Sequence, residues 1–318
     1  MRRAPGGGRD EAVEIVSGEL RASFLPSLAL LGCSLRHRGE ELLAFPQPLA
    51  AYRELGRVTG LPLLFPWANR LAGLGYRCAG ADVSLLDHLD LIQLDAGLPI
   101  HGVRPGLLPF RLGGRSADAL QAEQRSADAP GLAAVFPYPY RLSVRASIAG
   151  RALVLETQLE AAGELPVPVS FGYHPYLRLP GAPRDQWLLE LPLSRERLEL
   201  DERQIPTGER RPEDAPPAPL RGRALDDGFA LPGPVPQLSV SAAGRRLSVR
   251  LESGYGYGQV FAPPDQEVVA LEPMTAPANA LRSGDGLRYA EPGRPFRARF
   301  AIAVEDQPAP SPGAARRS

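Results

Sequence analysis

Residues 140–160 read Tyr-Arg-Leu-Ser-Val-Arg-Ala-Ser-Ile-Ala-Gly-Arg-Ala-Leu-Val-Leu-Glu-Thr-Gln-Leu-Glu. Leu142, Val144, Ala146 and Ile148 fall on one side of a two-residue period, and Arg141, Ser143, Arg145 and Ser147 on the other. After Ala149-Gly150, Leu153, Leu155, Thr157 and Leu159 alternate against Val154, Glu156, Gln158 and Glu160. Successive side chains of an extended chain point to opposite faces, so this pattern predicts two strands, joined by a glycine turn into a hairpin. Further short strands are predicted at 238–240, 247–251, 268–271 and 296–304. No stretch holds a helical period for more than about three turns. The expected fold class is all-β, a large antiparallel β-sandwich.

Composition supports this. The 318 residues include 33 Gly and 35 Pro, which favour many turns and few long helices. A 44% hydrophobic share over this length can fill one large β core. One domain is expected over residues 11–305. Residues 1–10 are Arg/Gly-rich, and residues 306–318 are Pro-, Ala- and Arg-rich, so both ends are expected to be disordered tails. The segments 115–130 and 205–220 read as surface loops.

Formal net charge is zero, so neither nucleic acid nor an anionic membrane is an expected partner. All 36 basic residues are arginine, a bias that fits GC-rich coding, and the lack of lysine excludes Schiff-base, pyridoxal-phosphate and phosphate-loop lysine chemistry. Cys33 and Cys78 form no C-x-x-C pair and read as two buried reduced thiols. The apolar run 24–33 is far shorter than the ~20 residues that span a bilayer. Its end, Leu30-Leu31-Gly32-Cys33, has the look of a lipoprotein processing site. However, Glu11, Glu14, Glu19 and Arg21 precede it where a signal peptide needs a basic start and an unbroken apolar core. A strand, a glycine turn and a second strand through Leu35 fit better, and a cytoplasmic location is expected.

Four histidines limit the candidates for proton transfer. His37 lies in the polar run Arg36-His37-Arg38-Gly39-Glu40 and His88 among Asp87, Leu89 and Asp90; both are expected at the surface. His101 opens His101-Gly102-Val103-Arg104. His174 ends an apolar strand in Phe171-Gly172-Tyr173-His174-Pro175-Tyr176, a place where a lone histidine more often serves structure than chemistry. Glu272 follows Val268-Val269-Ala270-Leu271 and precedes Pro273, which is expected to stop the strand there. A carboxylate ending a buried strand is costly unless hydrogen-bonded or functional. Phe65-Pro66-Trp67-Ala68-Asn69-Arg70 joins flat aromatic faces to the donors of Asn69 and Arg70, a combination suited to a sugar ring and its hydroxyls, although Trp67 could equally be core. Leu225-Asp226-Asp227-Gly228-Phe229 reads as a turn with paired acids. No His-x-His, His-x-x-x-His or acidic cluster stands at metal-binding spacing, and neither a metal nor a cofactor is expected.

In order, Phe-x-x-Ala-Asn-Arg, His-Gly-x-x-Arg, His-Pro-Tyr, Asp-Asp-x-Phe and Glu-Pro-Met-Thr resemble the aldose 1-epimerase (galactose mutarotase) family over residues 18–304. The resemblance implies a galactose mutarotase-like supersandwich that acts on a small-molecule sugar without a cofactor. It implies Glu272 as general base and His174 as general acid, with Arg70, Asn69, His101 and either Asp226 or Asp227 holding sugar hydroxyls. It also implies a bell-shaped pH profile with one carboxylate and one histidine limb, the latter needing an imidazole pKa near or above neutrality. Two features depart from the better-known galactose enzymes. Leu177-Arg178 follows Tyr176 where they have Phe-Asn, and Val103-Arg104-Pro105 replaces a longer insertion after His101. A hexose-phosphate enzyme and a non-catalytic sugar-binding module on the same fold are the competing readings.

Overall fold

A computed structural model describes residues 11–306. Its widest sheet is built on the stretch quoted above. Strands Tyr140–Ala149 and Ala152–Ala161 pair antiparallel with Leu142 opposite Leu159, Ala146 opposite Leu155 and Ile148 opposite Leu153. Both apolar rows therefore point the same way, and all of these side chains are buried. Phe296–Asp306, Arg245–Ser253, Gln237–Ala242, Leu188–Glu190 and Ala218–Pro219 extend the sheet on one side, and Ala119–Arg125 and Arg111–Arg115 on the other, to nine strands. The predicted strands at 238–240, 247–251 and 296–304 lie inside it.

The second large sheet has eight strands: Pro206–Glu213, Arg195–Leu200, Leu225–Ala230, Tyr257–Ala262, Val269–Met274, Gly172–Tyr173 and Leu63–Leu64 in order, with Tyr176–Leu177 also on Val269–Met274. Phe229, Val260, Val269, Leu271 and Tyr173 of this sheet share one buried cluster with Leu142, Val144, Leu155, Val249 and Phe300 of the other. Tyr173 meets Phe300 at 5.0 Å between ring centroids, and its hydroxyl lies 2.8 Å from Thr157 Oγ1. Truncating a leucine in such a core, for example Leu155→Ala, costs about 2–5 kcal/mol. A four-stranded sheet, Val13–Ser17 to Glu40–Glu41, accompanies the sandwich. The described residues hold only two α-helices, Leu49–Leu55 and Ala280–Ser283, and neither is long and apolar enough to cross a membrane.

Four expectations need correction. The 115–130 segment contains the strand Ala119–Arg125, whose inward row of Leu120, Ala122 and Gln124 is too weakly apolar to announce itself. The 205–220 segment contains Pro206–Glu213, an edge strand with no buried residue and so no alternation to read. Asp226-Asp227-Gly228 is not a turn but the middle of the strand Leu225–Ala230. Finally, Asp306 closes the strand Phe296–Asp306; the rest of the two expected tails lies outside the described residues.

One interruption positions the site. Gly172 pairs with Met274 and Tyr176 with Ala270 in a single register, but the ladder between them is broken. His174-Pro175 occupies that gap opposite Leu271–Pro273, and His174 N donates to Pro62 O on its other side at 3.1 Å. This also explains why Pro273 does not end its strand as expected. The strand runs on to Met274, because the ladder to the neighbouring chain is already interrupted beside Pro273 and the missing N–H breaks no pairing on that side.

Candidate active site

The alternation that sends Val269 and Leu271 into the sandwich core sends Ala270, Glu272 and Met274 to the opposite face of the sheet. That face is covered as well. Glu272 is 2% exposed and His174 4%, and His174 Nε2 lies 3.2 Å from Glu272 Oε1. Glu272 Oε2 and His174 Nδ1 are buried and have no protein partner. The His174 ring stacks on Tyr176, with centroids 4.3 Å apart, and meets His101 edge-on at 5.6 Å. Burial drives the His174 imidazole down to about 3. Burial, helped by Asp226, drives the Glu272 carboxyl well above the usual carboxylate range, while Arg70 opposes that rise. Burial thus pushes the two groups in opposite directions, both toward their neutral forms, and so works against the imidazole near or above neutrality that the resemblance implies.

Cross-strand register brings the remaining groups to Glu272. One row runs Gly228, Gln259, Glu272; the next runs Asp226, Phe261, Ala270, Tyr176. Gln259 Nε2 donates to Asp226 Oδ1 at 2.6 Å. A Cβ at position 228 would come within 2.9 Å of Gln259 Oε1, so glycine makes room for that amide. The same period resolves the two acids. Asp226 shares the face of Glu272. Asp227 points to the other side, where Arg197 Nη2 donates to its Oδ1 and it lines a small recess with Arg195 and Glu213. Gln259 is absent from the sequence-based candidates. Its available signal was the Tyr257, Gln259, Phe261 alternation of a strand that glycines at 256 and 258 obscure.

The segment after Leu63–Leu64 supplies the facing wall. Asn69 and His101 both hold left-handed backbone, at φ 57° and 56°, and are locked together. His101 N donates to Asn69 O at 3.0 Å, and Asn69 N donates to His101 Nδ1 at 3.2 Å. Since Nδ1 accepts, the neutral ring carries its proton on Nε2. Burial keeps His101 well below its ordinary value, with His174 and Arg70 adding to the effect. Asn69 Oδ1 accepts from Arg70 N at 2.7 Å, so its side chain shapes the turn that aims Arg70. Gly102 is required here: a Cβ would lie 2.1 Å from Phe65 O. Arg70 Nη2 donates to Asp95 Oδ2 at 2.8 Å, while its Nη1 stops 3.7 Å short of Asp226 Oδ2.

Glu272, His174, His101, Asn69, Arg70 and Asp226 are thus brought together, and Asp227 is not. Trp67 is fully buried and belongs to the core rather than to a sugar-stacking surface. His37, expected in solvent, is also fully buried, 3.6 Å from Glu19. Cys33 is half-buried and Cys78 buried, both as free thiols. Among the described residues, no three His, Cys, Asp or Glu side chains gather as a metal site.

The fold thus carries a buried carboxyl–imidazole pair on one sheet face, ringed by polar side chains, and sequence comparison gives the family. The chain belongs to the aldose 1-epimerase family, whose sequence description matches residues 31–303. It is 27% identical over 314 residues to the uncharacterized Escherichia coli protein YihR, with 92% of each chain covered. Its fold is similar to that of a putative aldose 1-epimerase from Escherichia coli, with a TM-score of 0.74, 18% identity and 93% of this chain and 99% of that one covered. It is likewise similar to the GalM/aldose epimerase homologue from C. elegans, with a TM-score of 0.76, 16% identity and coverage of 94% and 99%. This chain therefore shares the galactose mutarotase-like fold of these solved structures.

Proposed function

We propose that this chain interconverts the α and β anomers of a free aldohexose, with Glu272 and His174 moving the protons. The observation that carries this reading is the 3.2 Å contact between His174 Nε2 and Glu272 Oε1, buried on a face where Arg70, His101, Gln259 and Asp226 converge. Ring opening needs one proton removed from the anomeric hydroxyl and one delivered to the ring oxygen, and both oxygens are bonded to C1. Two adjacent groups that together hold one mobile proton can do both.

The working tautomer is carboxylate and imidazolium. Glu272 takes the proton from the anomeric hydroxyl, the carbonyl forms, the bond from C1 to the ring oxygen breaks, and His174 protonates that oxygen. The pair is then carboxylic acid and neutral imidazole, the form that burial favours. The enzyme therefore stabilises its own proton state while the sugar is an open aldehyde. Rotation about C1–C2 and reclosure with the roles exchanged give the other anomer. Positioned acid–base catalysis of this kind contributes about 10²–10⁴-fold. His101 Nε2–H, Arg70 Nη1 and the Asp226–Gln259 pair supply hydroxyl partners, and Asn69 acts on the sugar through Arg70 and His101.

Of the two arginines beside the site motifs that could hold a phosphate, Arg104 donates Nε and Nη2 to the carbonyls of Ile92 and Leu89, which disfavours a hexose phosphate there, while Arg178 is exposed. The test is anomer exchange by NMR on D-glucose, D-galactose and D-glucose 6-phosphate. Exchange on a free hexose supports the reading. Exchange on the phosphate alone replaces it with a hexose-phosphate epimerase, and sugar binding without exchange replaces it with a non-catalytic module.

A further inference from the structure

We infer that Asp95 is a positioning residue that holds the Arg70 guanidinium open for one sugar hydroxyl; this rests on the site reading just given. Arg70 lies between two carboxylates but bonds only one of them, Asp95 at 2.8 Å, and stands 3.7 Å from Asp226. That second gap is too wide for a hydrogen bond and leaves Nη1 and Asp226 both able to engage a ligand oxygen. Without Asp95, nothing opposes the attraction between Arg70 and Asp226, and the fork closes onto Asp226 where the hydroxyl would sit.

The scaffold around Asp95 suits the role. It ends the strand Ile92–Asp95 at a two-residue turn, Ala96 at φ 47° and Gly97 at φ 81°, facing Leu98. Two positive φ values at the centre make a primed hairpin turn, which is rigid. The same hairpin continues into His101, and its Ile100 bridges the backbone of Arg70. The element that places one hydroxyl-binding side chain therefore also carries the carboxylate that restrains the other. Asp95 is half-exposed, so its ion pair adds little to fold stability, and its conservation of geometry matters more than its energy.

The experiment is a double-mutant cycle in the full chain on the free hexose that exchanges fastest, reading KM and kcat by NMR exchange, Kd by titration, and melting temperature. Asp95→Ala is expected to raise KM and Kd about tenfold with kcat within twofold, since a positioned charged hydrogen bond to the sugar is lost. Asp95→Asn, which keeps an acceptor oxygen, is expected to recover most of that loss. In an Arg70→Ala background, Asp95→Ala is expected to do nothing further. An undiminished effect in that background would overturn the inference, because Asp95 would then touch the sugar itself. So would an unchanged KM and Kd in Asp95→Ala, or a melting temperature that falls in step with affinity. A wild type that binds the hexose without exchanging it would overturn the catalytic reading alone and leave Kd to decide Asp95.

Discussion

The two large sheets have opposite kinds of outer face. On the nine-stranded sheet the outward residues include charged, matched pairs, in which Arg141 donates to Glu160 and Arg299 donates to Glu156 and Glu252, beside a buried apolar patch of Ala152, Val154, Ala301 and Ala303. The charged side chains are near solvent, and each acid has a base beside it. On the eight-stranded sheet the outward row is Asp226, Gln259, Glu272 and their neighbours, and its centre is sealed from solvent. There Glu272 Oε2 and His174 Nδ1 have no protein partner although both are buried. Leaving a buried polar atom unmatched costs about 1–3 kcal/mol, and on the second face that cost falls on an adjacent acid and imidazole rather than on single atoms. The first face carries exposed ion pairs around an apolar patch; the second gathers the candidate proton-transfer pair.

Mutations on the two faces should differ accordingly. The largest effect after the carboxylate itself is expected from His174→Asn, with kcat down about 10²–10⁴-fold and sugar Kd little changed. A binding defect without a kcat defect would make His174 a contact rather than an acid. Next come the adjacent acids. Asp226→Ala should raise KM about tenfold or more through loss of a charged hydrogen-bond partner, whereas Asp227→Ala should leave KM alone and cost at most about 1 kcal/mol through its part-exposed Arg197 pair. Equal KM effects would mean that the strand register does not separate their roles.

The pH profile of kcat/KM is a third discriminator. His174 is lowered to about 3, so it takes up its extra proton only as pH falls toward that value; Glu272 is raised, so its proton is lost only above the ordinary carboxylate range. The one-proton pair therefore spans the window between them, and the acid limb of the free-enzyme profile should lie well below the ordinary histidine value of 6.5. An acid limb at 6.5 would show that burial does not hold the imidazole down. The smallest effect belongs to the other face: Arg299→Ala should shift stability by no more than about 0.5 kcal/mol and leave kinetics unchanged.

How much of this was legible in the sequence follows the same division. The hairpin through 140–160 was readable because one face is buried and the other wet, which writes a clean period of two. The strand Leu225–Ala230 was not, because Asp226 faces the site and Asp227 an ion-pair recess, so neither side looks apolar, and Asp-Asp-Gly imitates a turn. His174, Glu272, His101, Arg70 and Asn69 could be named as candidates from their local motifs, and the structure brings them together. Gln259 and Asp95 could not be named, since one joins them by cross-strand register and the other by a contact to Arg70 made 25 residues away. The burial of the central pair was not legible for a related reason: a motif reports which groups are neighbours, but not that both are shut away from water.

The central claim is that Glu272 moves a proton at the anomeric centre, and comparing NMR anomer exchange in the wild type and Glu272→Gln tests it most directly. The substitution keeps the side chain's shape and removes its capacity to accept a proton. The account predicts rapid exchange of a free hexose by the wild type and a loss of at least about 10² in kcat in the variant, with the sugar still bound. A variant that exchanges the same sugar at near wild-type rate would contradict it.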